Sequence, residues 1–116
     1  MTRIRSVRCH AIADDVGSVV LDELDLPPPA PGEIQVRLKA CAVNFPDILM
    51  VQGKYQFKPD LPFAPGMEGA GVVAEVGAGV AAFKPGDEIV AGLRVGGFAE
   101  EVNVPASSCR LKPAGL

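Results

Sequence analysis

Apolar and polar residues alternate most regularly from Glu33 to Val43, where Ile34, Val36 and Leu38 interleave with Gln35, Arg37 and Lys39. A period of two sends successive side chains to opposite faces, so this segment predicts a half-buried strand. Ile4 to Ile12 predicts a second strand, closed by Asp14-Asp15-Val16-Gly17, and Ser18 to Leu24 pairs with it as a hairpin. Ala70 to Val76, Asp87 to Ala91 and Phe98 to Val104 read as further strands, separated by turns at Gly77-Ala78-Gly79 and Pro85-Gly86-Asp87. Asn44 to Gly53 predicts a short helix: Asn44 or Phe45 precedes Pro46 at the first helical position, Asp47 follows, and Gly53 ends it. Leu26 to Gly32 is proline-rich and predicts a rigid extended connector, because proline fixes φ and donates nothing to a ladder. Lys54 to Pro65 reads as a loop. Strands outnumber helices and no βαβ alternation occurs, so the pattern predicts a mainly β barrel or sandwich with one or two short helices.

Composition narrows the class further. The 116 residues suit one domain, and 48% hydrophobic with 22% charged residues suits a globular core. The net charge of −3 argues against a nucleic-acid partner, which would need a basic face. Cys9, Cys41 and Cys109 form neither a C-x-x-C pair nor a disulfide framework, and are expected to be buried, reduced thiols in a cytoplasmic protein. No apolar run approaches the roughly 18 residues of a membrane span, and the basic start is followed by no signal-peptide core.

Two glycine-rich stretches, Gly69-Ala-Gly71-Val-Val-Ala74 and Gly77-Ala-Gly79-Val-Ala-Ala82, mimic a dinucleotide fingerprint. That fingerprint works only where a strand feeds a turn and a helix N-terminus then holds the pyrophosphate. After Gly71 the chain is β-branched and stops at a turn; after Gly79 it soon meets Pro85-Gly86. Neither has room for a helix, so both are read as strand and turn glycines. The usual seat for NAD(P)H is not expected in this chain.

The motifs Pro31-Gly-Glu-Ile-Gln-Val-Arg37, Ala42-Val-Asn44-Phe-Pro-Asp47, Gly53-Lys-Tyr55, Leu61-Pro-Phe-Ala-Pro-Gly-Met67-Glu68-Gly-Ala-Gly71, Lys84-Pro-Gly86-Asp87 and Gly97-Phe-Ala-Glu-Glu101 occur in order. In this the chain resembles the N-terminal half of medium-chain dehydrogenases/reductases, especially the zinc-free quinone oxidoreductase (zeta-crystallin-like) branch. The resemblance covers nearly the whole chain. It implies a GroES-like, partly open β-barrel over residues 1–116, with a Rossmann domain expected after Leu116 and absent from this chain. It implies hydride transfer from NADPH to a small-molecule quinone or activated C=C, no zinc, no membrane, and a homodimeric full-length enzyme. The isolated domain is then expected to be inactive. A 2-enoyl-thioester reductase of the same superfamily and a stand-alone GroES-like binding or assembly module are the alternatives.

Site residues follow from the resemblance position by position. The zinc branch carries a Cys in Val-Cys-x-x-Asp and a His in Gly-His-Glu; here Asn44 and Met67 stand in those places. An amide and a thioether are poor zinc donors, and Glu68 alone does not make a site. The four-cysteine lobe of the structural zinc is missing too, since only Cys109 lies beyond Cys41. Asn44 falls where the family binds near the nicotinamide ribose or the substrate, or else caps the helix; both uses suit an amide. Tyr55 falls where a phenol lines the cleft and donates to the acceptor oxygen, or else packs in its loop. Asp47 is expected to cap the helix start. Phe45, Tyr55 and Met67 are the expected substrate pocket, with Phe57 and Phe63 as further apolar walls or plain packing. His10 is read as an ordinary strand or surface histidine.

Overall fold

The alternation around Ile34 builds the centre of the molecule. In the computed structural model, which describes residues 1–116, β3 (Glu33–Cys41) lies between β4 (Glu68–Val76) and β6 (Glu101–Pro105), each antiparallel to it. β5 (Glu88–Gly92) joins the other side of β4, and β7 (Cys109–Leu111) closes the row, giving the five-stranded order β6-β3-β4-β5-β7. Ile34, Val36, Val73, Ile89, Ala91, Val104 and Cys109 form its buried core. Gly71 lets β3 and β4 approach closely: a Cβ there would sit 2.1 Å from the Arg37 carbonyl oxygen. β4 is followed by a turn and then β5, with no α-helix after it, so neither glycine stretch has the strand–turn–helix setting of a dinucleotide loop.

β1 (Thr2–Cys9) and β2 (Val19–Leu26) make the expected hairpin, paired from Thr2↔Leu26 to Cys9↔Val19. Bridges Ser6↔Ala99 and Cys9↔Phe63 attach this second sheet to the rest. The Val7 N–H donates to the Phe98 carbonyl at 2.8 Å and the Glu100 N–H to the Arg5 carbonyl at 3.0 Å. The outcome is a partly open GroES-like β fold with no closed barrel.

Several sequence expectations shift. β1 stops at Cys9, not Ile12, because beyond the Cys9 bridge the chain turns away and the Ala13 N–H bonds the Val51 carbonyl. Phe98 to Val104 is not one strand: Phe98 and Ala99 pair with β1, and only Glu101 onward pairs with β3. β7 and the 3₁₀ turn Ala106–Ser108 escaped the pattern, being too short to show a period. Gln35 is buried on the face opposite Ile34 and Val36. Its amide donates to the Pro27 carbonyl and to Asn103 Oδ1, each at 3.1 Å. The proline connector offers acceptors without donors, and Gln35 and Asn103 satisfy one of them. α1 runs Phe45–Val51, so Pro46 takes its second position rather than its first.

Candidate functional site

Asn44 has extended backbone at the N-cap of α1, and Asp47 occupies the third helical position in a capping-box layout. The Asn44 N–H donates to Asp47 Oδ2 at 2.8 Å, and the Asp47 N–H donates to the Asn44 backbone carbonyl at 3.0 Å. Asp47 does more than cap. It is 3% exposed, and its Oδ1 accepts the Gly66 N–H at 3.0 Å, nineteen residues away. A buried carboxylate is costly unless it is hydrogen-bonded, and these two N–H groups supply that compensation. Gly66 has φ +112°, and a Cβ there would lie 2.6 Å from Gly97 Cα, so the turn admits only glycine. The Leu93, Gly96, Gly97 and Phe98 N–H groups then bond the carbonyls of Met67, Ala64, Gly66 and Pro65 at 2.8–3.1 Å. One carboxylate thus ties the helix start to the turn before Met67, and that turn to the segment from Leu93 to Phe98.

Under this clamp lies a second hydrophobic cluster of Cys9, Met50, Val51 and Phe63, with Val19, Tyr55, Phe57, Met67 and Val95 packed on it half-buried. The structure therefore brings Tyr55 and Met67 onto one cluster and ties Asn44 to them through Asp47. Phe63 proves to be core, while Phe57 packs at the cluster's edge. Phe45 stands apart: it is 70% exposed and belongs to neither cluster. Lys58 Nζ holds the Tyr55 loop by donating to the Tyr55 carbonyl at 3.0 Å and the Gly53 carbonyl at 3.3 Å. Met67 also lines an open groove of about 870 Å³ with Cys41, Glu68 and Arg110. Asn44, Phe45 and Tyr55 do not line this groove.

Two residues correct or extend the sequence reading. Cys41 is exposed at the end of β3, not buried in a core as expected: β6 pairs with β3 only as far as Arg37, and beyond it β3 keeps β4 alone as a neighbour. Cys9 and Cys109 are buried, and burial pushes the Cys109 thiol above its ordinary value. Arg94 was not singled out from sequence; its guanidinium lies over the Phe57 ring, 4.5 Å from the centroid. A lone arginine between two strands carries no pattern that would have marked it. His10 is exposed and lies 2.5 Å from Asp22, whose carboxyl is lowered by hydrogen bonds from His10 and then Arg8.

The donors at the zinc-equivalent positions remain an amide and a thioether, and no three His, Cys, Asp or Glu side chains converge to hold a metal. For a nicotinamide cofactor the fit is one-sided. Half-buried Asn44 stands at the start of α1, where Asp47 already takes up the Asn44 N–H, whereas neither glycine-rich stretch leads into a helix that could hold a pyrophosphate.

Residues 30–114 match the family model described as the alcohol dehydrogenase GroES-like domain. The chain is 47% identical over 90 residues to the Homo sapiens synaptic vesicle membrane protein VAT-1 homolog, covering 78% of this chain and 23% of that protein. It is 38% identical over 113 residues to the Nematostella vectensis quinone oxidoreductase-like protein 2 homolog, covering 97% of this chain and 30% of that one. Among solved structures, Escherichia coli quinone oxidoreductase complexed with NADPH superposes with a TM-score of 0.90 at 32% identity, over 97% of this chain and 34% of that chain. The chain thus spans between 23% and 34% of the length of these three proteins.

Proposed function

The chain belongs to the alcohol dehydrogenase GroES-like domain family, among the quinone oxidoreductase-like medium-chain dehydrogenases/reductases, and from that premise we propose that it is the acceptor-side domain of an NADPH-dependent, zinc-independent quinone oxidoreductase. The observation that carries the reading is the Asp47 clamp. It gathers Asn44 and Met67, the two positions where zinc relatives would place donors, around groups that position rather than coordinate. The E. coli relative, whose structure holds NADPH, supports the choice of cofactor.

The cofactor, when bound, supplies the hydride for an electron-poor C=C or quinone ring. This chain's residues do the rest. Asn44 presents an amide that both donates and accepts, fixing the orientation of what binds beside the helix start. Tyr55 donates its phenolic O–H to the oxygen on which negative charge grows as the acceptor is reduced. Such general-acid help is worth roughly 10²–10⁴-fold in rate. Met67 puts an apolar thioether where the zinc relatives would carry a donor. Phe45, exposed in this chain, is available to flank a flat acceptor. In the whole enzyme a Rossmann domain outside residues 1–116 would hold the cofactor's phosphates, and that enzyme is a cytoplasmic homodimer acting on a small-molecule acceptor. By itself the chain is catalytically silent.

A fluorescence titration tests this. The 116-residue chain at micromolar concentration gives no saturable NADPH signal, while the intact enzyme oxidises NADPH with a quinone and keeps that activity after chelator treatment. Saturable NADPH binding by the chain alone, or activity lost to a chelator and restored by zinc, would overturn the proposal.

A further inference from the structure

Most basic side chains of this chain are occupied. Arg3, Arg5, Arg8, Arg37, Lys84 and Lys112 all pair with carboxylates, and Lys58 bonds two carbonyls. Exposed Arg94 takes part in no ion pair and no side-chain hydrogen bond; the same holds for Lys39, Lys54 and Arg110, but only Arg94 lies over an aromatic ring. It is nevertheless held in place. On one side of it the Leu93 N–H bonds the Met67 carbonyl at 2.8 Å; on the other the Gly96 N–H bonds the Ala64 carbonyl at 2.8 Å. Its guanidinium rests over Phe57, which packs on the same cluster as Tyr55 and Met67.

A guanidinium over an aromatic ring is steadied by the ring's negative face, yet its five N–H donors lie in its own plane and remain available. The ring and the bonded backbone on either side restrict the side chain, which lowers the rotamer freedom lost when it engages a ligand. A planar fork of this kind matches the two oxygens of a carboxylate, sulfonate or phosphate. Resting on the reductase reading above, we propose that Arg94 is a specificity residue that receives an oxyanion of the acceptor at the exposed edge of the cluster formed with Tyr55, Phe57 and Met67. The preferred acceptor is then a flat quinone or enone bearing an anionic substituent. Phe57 supplies the platform beneath Arg94, and Tyr55 stands on the same cluster to serve the reacting carbonyl. The same oxyanion chemistry is also carried by the cofactor's phosphates, and the experiment separates the two sources.

The test is direct binding to the 116-residue chain, followed by NMR and needing no hydride transfer. It can therefore fail or succeed independently of the reductase reading, which is judged by turnover of the intact enzyme. The probes are anthraquinone-2-sulfonate, neutral 2-(hydroxymethyl)anthraquinone and NADP⁺; anthraquinones do not alkylate the exposed Cys41 thiol. The expected result is binding of the sulfonate with shifts at the Arg94 Nε–H and the Phe57 and Tyr55 rings. Arg94→Ala weakens it about tenfold, the scale of a lost charge-assisted hydrogen bond, while the neutral probe is unaffected and Arg94→Lys retains part of the affinity. A backbone spectrum unchanged away from residue 94 certifies the variants as folded. Shifts at Arg94 from NADP⁺ and not from the sulfonate would assign the oxyanion to the cofactor and overturn the acceptor assignment. Equal binding of charged and neutral probes, no binding of any probe at millimolar concentration, or an Arg94→Ala variant with unchanged affinities would overturn the proposal.

Discussion

In the five-stranded sheet, Ile34, Val36, Val73, Ile89 and Val104 are each at most 1% exposed, all of them β-branched and locked between paired strands. The lobe around α1 is assembled differently. Its four buried residues are chemically mixed, a thiol, a thioether, a valine and a phenylalanine, and its edges stay half-open at Tyr55, Phe57 and Met67. What the lobe lacks in apolar burial it gains from directional bonds, chiefly those of Asp47 and the carbonyls from Ala64 to Met67. The sheet is a scaffold whose stability is spread over many contacts. The lobe holds its groups through a few specific ones, and groups held that way can stand at a surface where a ligand reaches them.

The comparison is open to breakage at its strongest point first. Ile89→Ala, in the middle of the sheet core, is expected to cost about 2–5 kcal/mol by creating a cavity, with a single cooperative urea transition shifted to lower midpoint. Asp47→Ala comes next, at about 1–3 kcal/mol, because it strands the N–H groups of Asn44 and Gly66. Its effect should be local: hydrogen exchange accelerates at those two amides while the β3 and β4 ladders keep their protection. If Asp47→Ala loosened the sheet as much as the lobe, the division between them would be wrong. A smaller effect sharpens the same contrast. Cys41 reacts at once with a thiol reagent; Cys9 is fully buried and Cys109 only 8% exposed, so both wait on opening of their regions, and the sheet around Cys109 is expected to open less often than the lobe around Cys9. Cys109 labelling ahead of Cys9 would reverse the ranking of the two regions.

What the sequence disclosed divides along the same line. Sheet strands announce themselves by local period, so β3, β4, β5 and the β1–β2 hairpin were legible from Ile34-Val36-Leu38 and their like. The helix start at Asn44 was legible because capping is also a local code. The Asp47–Gly66 bond and the Arg94–Phe57 stack join residues nineteen and thirty-seven positions apart, and no local period records such pairs. The burial of Gln35 was hidden for a related reason: a polar residue looks solvent-facing until the proline connector that covers it is in place. Resemblance to a family located Asn44, Tyr55 and Met67, but geometry was needed to find what holds them together.

The claim on which the rest depends is that the lobe's phenol serves the acceptor and leaves the cofactor to other groups. Steady-state and binding measurements on Tyr55→Phe in the intact enzyme test it most directly. With that substitution, kcat with the preferred quinone is expected to fall by roughly 10²–10⁴-fold, the range of general-acid help, while the NADPH dissociation constant does not move. Unchanged turnover, or a loss confined to NADPH affinity, would contradict it.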